Sequence, residues 1–122
     1  MSVIANLLRD IITLLGGANK ATPSDFSSTI TAGGTAQTLL SANANRQSIE
    51  FFNNSTGSLW INVTGTATAG GGSIEVRSGG YWSPPVCPVT AISVIGATTG
   101  QAFTCWESML CSGEWLELCG FV

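Results

Sequence analysis

Between Gln47 and Ser83 the chain reads QSIEFFNNSTGSLWINVTGTATAGGGSIEVRSGGYWS, a series of short apolar-alternating runs punctuated by Gly, Asn, Ser and Thr. Side chains of a strand alternate between two faces, so this pattern fits strands and excludes long helices. Leu59, Ile61 and Val63 fall opposite Trp60 and Asn62. Ile74 and Val76 fall opposite Glu75 and Arg77, and Ile92 and Val94 opposite Ser93 and Ile95. Strands are predicted over 28–31, 36–40, 47–53, 58–63, 72–77, 80–83, 91–97 and 101–107. Gly33-Gly34, Gly70-Gly-Gly72, Gly79-Gly80 and Thr99-Gly100 supply turns, and Pro84-Pro85 and Pro88 keep their segment out of a sheet centre. Many short strands with glycine-rich turns predict a mainly β chain. The expected fold is an antiparallel β-sandwich, jelly-roll or Greek-key like, with one N-terminal amphipathic helix.

That helix is predicted over residues 2–16, where Val3, Ile4, Leu7, Leu8, Ile11, Ile12, Leu14 and Leu15 recur at helical spacing. Ser2 can cap its start and Gly16-Gly17 its end. Arg9 and Asp10 interrupt the apolar run, which argues against a secretory signal. The run is also shorter than the ~20 apolar residues that span a bilayer. Its apolar stripe either packs on the chain's own sandwich or meets other chains. The second is favoured, because a wide stripe on a tethered helix has to be covered somewhere.

The predicted organisation is therefore a helix over 1–17, a linker over 18–28 and a β-sandwich domain over 29–107. Residues 108–122 form an apolar, Cys-containing arm or final strand. Trp115, Leu116, Leu118, Phe121 and Val122 make this tail too apolar to stay in water, but do not decide between helix and strand. With the helix stripe they form the candidate assembly interface.

Little here suits chemistry. Histidine is absent, Lys20 is the only lysine, and the seven carboxylates show no motif, so no enzyme is expected. The net charge is −3 and the four basic residues are scattered, which excludes a nucleic-acid surface or a polybasic membrane patch. Charged residues are only 9% of the chain and mean hydropathy is +0.35, as expected where assembly covers part of the surface.

Cys87, Cys105, Cys111 and Cys119 contain no C-x-x-C pair, so no metal and no cofactor are expected. They read as small buried hydrophobes in a reducing compartment, while a disulfide in the last eighteen residues stays open. Asn53-Asn54-Ser55 and Asn62-Val63-Thr64 satisfy the glycosylation sequon, which matters only in a eukaryotic secretory pathway. Trp60, Tyr81, Trp82 and Trp106 are candidates for a sugar-stacking face, Trp60, Tyr81 and Trp82 above all. Packing is the commoner fate of such rings.

Several pieces in order carry a family resemblance: Ala32-Gly-Gly-Thr-Ala-Gln37, Ala42-Asn43 through Arg46, and Asn53-Asn54-Ser55 followed by Leu59-Trp60-Ile61. Gly65-Thr-Ala-Thr68, Gly79-Gly80-Tyr81-Trp82 and Ala97-Thr-Thr-Gly-Gln101 leading to Phe103 continue it. Over residues 29–107 the chain resembles small β-sandwich structural proteins of tailed-bacteriophage virions. The resemblance implies a non-enzymatic virion component, assembled in the bacterial cytoplasm, and a homo-oligomer with a trimer favoured. It points first to a capsid decoration (cement) or minor head protein whose partners include the major capsid protein. The alternative is a tail-fibre or tail-tip module that binds a host receptor or surface glycan through Trp60, Tyr81 and Trp82.

Overall fold

The computed structural model of the chain describes residues 3–8 and 21–110. Residues 3–8 are helical. Nine strands follow: β1 (Ala21–Asp25), β2 (Ser28–Thr29), β3 (Gln37–Leu40), β4 (Arg46–Asn53), β5 (Leu59–Asn62), β6 (Ile74–Val76), β7 (Tyr81–Trp82), β8 (Ile92–Gly96) and β9 (Ala102–Leu110).

The strands form two antiparallel sheets. One runs β1-β9-β4-β7, with β2 also on β9; the other runs β3-β8-β5-β6. From β3 onward the chain crosses between sheets at most connections, staying in one sheet only across the β5–β6 hairpin. The predicted antiparallel sandwich is the observed one.

Alternation explains the core. Ile49 and Phe51 of β4, with Phe103 and Cys105 of β9, face Leu59 and Ile61 of β5, and Ile92 and Val94 of β8. All eight are at most 3% exposed, and Phe51 and Phe103 stack with centroids 5.5 Å apart. Burying one such side chain contributes about 1.5–3 kcal/mol, so this interior is what holds the two sheets together.

Polar networks close the two ends of the sandwich. At one end Asn53, fully buried, donates through Nδ2 to the carbonyls of Gly57 (2.7 Å) and Val76 (2.8 Å). Its Oδ1 accepts from Ser55 N and Oγ. Gln101 beside it donates to Ser55 Oγ and Ser58 O, and its Oε1 accepts from Thr98 N. At the other end Arg46 reaches Glu107 across the β4–β9 ladder, with Nε 2.6 Å from Oε2. Its Nη1 donates to Pro88 O and Thr90 O, and its Nη2 to Ser41 O at 2.5 Å. One guanidinium thereby ties the β3–β4 and β7–β8 connections to the central strands.

Eight strands lie where alternation predicts them, and β1 does not. Residues 21–25 fall in the expected linker, yet they pair with β9 from Ala21↔Leu110 to Asp25↔Trp106. All five side chains are exposed, so no apolar period marks the strand. Pro23 is tolerated because β1 is a sheet edge. The same pairing carries β9 on to Leu110, beyond the predicted end at 107 and into the expected arm.

Two side chains break the predicted alternation. Asn62 is buried at 8% because its Oδ1 accepts from Thr64 N, Thr64 Oγ and Gly65 N. Ile74, on the edge strand β6, stays 43% exposed. Two glycines are dictated by space and angle. A Cβ on Gly96 would lie 2.4 Å from Gln101 Oε1, and Gly100 turns into β9 with φ 89°.

Candidate functional site

The first candidate surface is the helix. Val3, Ile4, Leu7 and Leu8 are 57–76% exposed, so within the described chain they pack against little. Ile11, Ile12, Leu14, Leu15, Trp115, Leu116, Leu118, Phe121 and Val122 lie outside the described residues, as do Cys111 and Cys119. The strand register nevertheless fixes where the terminal segments begin. Ala21 and Leu110 are partners at the same end of the β1–β9 ladder.

The second surface is the outer face of the β1-β9-β4-β7 sheet. Inward Ile49, Phe51 and Asn53 force Ser48, Glu50 and Phe52 outward on β4, and inward Phe103, Cys105 and Glu107 do the same to Thr104, Trp106 and Ser108 on β9. Glu50 lies opposite Trp106, and Phe52 opposite both Thr104 and Tyr81. Phe52 and Tyr81 rings tilt together with centroids 5.0 Å apart. The Tyr81 hydroxyl donates to Glu50 Oε2. Together these side chains line a groove of about 310 Å³. Trp106 is 52% exposed, Tyr81 53% and Phe52 44%, on a sheet whose opposite face is closed core.

The three rings singled out from the sequence do not share this face. Tyr81 is on it. Trp82, the next residue along β7, points inward and packs half-buried against the core. Trp60 is half-buried on β5, in the other sheet. Strand parity accounts for the separation: adjacent residues of β7 face opposite ways. Trp106 takes the place expected of the other two tryptophans. Phe52 and Glu50 join it unforeseen, although Ser48, Glu50 and Phe52 share one parity in the sequence.

Two other grooves are chemically plainer. One of them, of about 450 Å³, is lined by Ala36, Thr38, Val63, Thr64 and Ser93 among others, without a ring or a charge. Each described carboxylate has a structural partner: Asp25 with Ser27, Glu50 with Tyr81, Glu75 with Ser58 and Glu107 with Arg46. Hydrogen bonds from Ser27 hold the Asp25 carboxyl below its ordinary value. Among the described residues no group of three or more His, Cys, Asp or Glu could hold a metal ion. Among the same residues no helix is long and apolar enough to cross a membrane.

Cys87 and Cys105 are free thiols. Cys105 is fully buried, and burial, with a contribution from the Glu107 charge, pushes its thiol up to about 12. Burial also raises Cys87. Both glycosylation sequons are structural instead. Asn53 and Asn62 are buried, and in each the side-chain oxygen is occupied by the Ser or Thr two residues on.

No protein-family model matches the sequence. No curated protein matches it. One solved chain, described under "Bacillus endospore appendages form a novel family of disulfide-linked pili", aligns over 77% of this chain and 91% of its own, at 21% identity and a TM-score of 0.48. A likeness at that level carries no argument about what this chain does.

Proposed function

We propose that the protein is a non-enzymatic structural subunit of a bacteriophage virion, a capsid decoration or minor head protein that binds the coat lattice as a homo-oligomer. The observation that carries this reading is the mismatch between a closed core and an uncovered helix. Among the described residues the buried core takes in none of residues 3–8, while Val3, Ile4, Leu7 and Leu8 present 57–76% of their surface. Apolar side chains on a short helix, which is marginal alone in water, call for a partner. The expected contacts extend through Ile11, Ile12, Leu14 and Leu15, and through the tail residues Trp115, Leu116, Leu118, Phe121 and Val122.

The strand order supports the same class of protein. Sheets ordered β1-β9-β4-β7 and β3-β8-β5-β6 fit the strand order expected of a jelly roll, an architecture that recurs in viral shells. The resemblance of residues 29–107 to phage structural proteins points the same way.

Deleting residues 1–17 tests the proposal. The truncated chain should remain a folded sandwich by circular dichroism but lose both its oligomeric state and its binding to phage heads. Particle binding by the intact chain should survive high salt, because the contacts are apolar. Unchanged assembly after the deletion refutes the role given to the helix, and release from particles by moderate salt refutes the apolar attachment.

A further inference from the structure

We propose that the outer face of the β7-β4-β9 strands is a binding site for neutral oligosaccharide, with Trp106 and Tyr81 as stacking platforms and Glu50 as the acceptor for sugar hydroxyls. Its residues are other than those of the helix proposed for assembly, so either reading can fail without the other.

The argument starts from what the groove offers. Three rings are held at 44–53% exposure on the two longest strands and their neighbour, backed by the core. A rigid aromatic platform loses little freedom when it meets a ligand. Around the rings stand the hydroxyls of Ser48, Thr104 and Ser108 and the carboxylate of Glu50. The Tyr81 hydroxyl fixes Glu50 through one oxygen, leaving the other lone pairs free to accept. The volume, about 310 Å³, lies at the lower end of the ~300–1,000 Å³ usual for small-ligand sites.

The mixture selects the occupant. An apolar helix laid across the face would cover the rings but strand a carboxylate and the hydroxyls without partners, each at a cost. A pyranose satisfies both at once, since its C–H face stacks on a ring while its rim of hydroxyls donates and accepts. No Lys or Arg lines the groove, and Glu50 repels carboxylates and sulfates. The charge therefore favours neutral over acidic saccharides.

The test uses the full chain. Neutral oligosaccharides spanning α- and β-linked hexoses, N-acetylhexosamines and deoxyhexoses are titrated while tryptophan fluorescence is followed, with binding checked by gel electrophoresis through the matching polysaccharides. At least one neutral saccharide should bind, and Trp106→Ala and Tyr81→Ala should each weaken it by about tenfold or more. Glu50→Gln should weaken it less, and Trp60→Phe should leave it unchanged. Both ring variants alter exposed side chains, and an unchanged thermal midpoint verifies their fold. Silence across the whole series, or binding that survives Trp106→Ala, overturns the proposal. So does a Trp106→Ala variant that binds no sugar differently but changes oligomeric state, which would make this face an interface between copies.

Discussion

Arg46 and Glu107 form an ion pair across the β4–β9 ladder, Nε to Oε2 at 2.6 Å, with the two side chains 0% and 7% exposed. Three backbone carbonyls, those of Ser41, Pro88 and Thr90, share the same guanidinium. Burying two charges is expensive unless every donor and lone pair is met, and here the loops fold inward to meet them. The pair thus acts as a clasp between central strands and two connections.

Removing one half should cost far more than removing both. Glu107→Leu leaves an uncompensated buried guanidinium and should lower stability by about 3–5 kcal/mol in urea unfolding. Arg46→Met with Glu107→Leu should lie closer to the native protein than the Glu107→Leu single variant. Arg46→Lys should fail to substitute, because a single ammonium cannot span the carboxylate and three carbonyls. A loss below about 1 kcal/mol for Glu107→Leu would refute the clasp.

Gly96 should not accept a methyl group. Its Cβ would sit 2.4 Å from Gln101 Oε1 and 2.7 Å from Leu59 Cδ2, so Gly96→Ala should destabilise by about 1–3 kcal/mol. Gly72→Ala is the control, because its nearest neighbour would be Asn62 Nδ2 at an ordinary 3.7 Å. That variant should stay within about 0.5 kcal/mol of the native chain. Equal effects of the two would contradict the packing around Gly96.

Cys105 should make the fold sensitive to alkali. Its thiol is raised from 9.0 to about 12 by burial, so the unfolded chain loses this proton first as pH rises. The associated stability is complete below pH 9.0 and declines as pH climbs towards 12. Comparing thermal midpoints of the native chain and Cys105→Ala from pH 8 to 11 should show the native advantage shrinking above about pH 9. Iodoacetamide should modify half-buried Cys87 well before Cys105 in the folded protein. Rapid labelling of Cys105 would place it elsewhere than in the core.

Asp25 predicts a smaller effect of opposite sign. Ser27 hydrogen bonds lower its pKa below 3.8, so this stabilising contribution is present above that pH. It is lost as pH falls through the lowered folded value. Ser27→Ala should return the Asp25 titration, followed by NMR, towards 3.8. A carboxyl that titrates identically in both proteins would show that the Ser27 hydroxyl does not hold it.

Alternation made the sandwich legible. Leu59, Ile61, Ile92 and Val94 stand at core positions where period two puts them, because a sheet with one buried face allows a single register. It could not reveal β1, whose residues bury nothing and are held by backbone pairing to β9. Nor could it find the polar ends. Arg46 read as one of four scattered cations, and Asn53 as part of a sequon, because their partners lie 61 and 23 residues away in the chain. The aromatic face shows a third kind of miss. Trp60 and Trp82 are as aromatic as Trp106, and only the side of the strand on which each falls separates platform from packing.

The Ala21↔Leu110 pairing gives the domain a root and a crown. Both terminal segments start at the Arg46 end of the sandwich, while the connections at 30–36, 54–58, 77–80 and 97–101 gather at the Asn53–Gln101 end. A peptide grafted into one of those crown loops would therefore be carried at the pole opposite Ala21 and Leu110, which suits the scaffold to display.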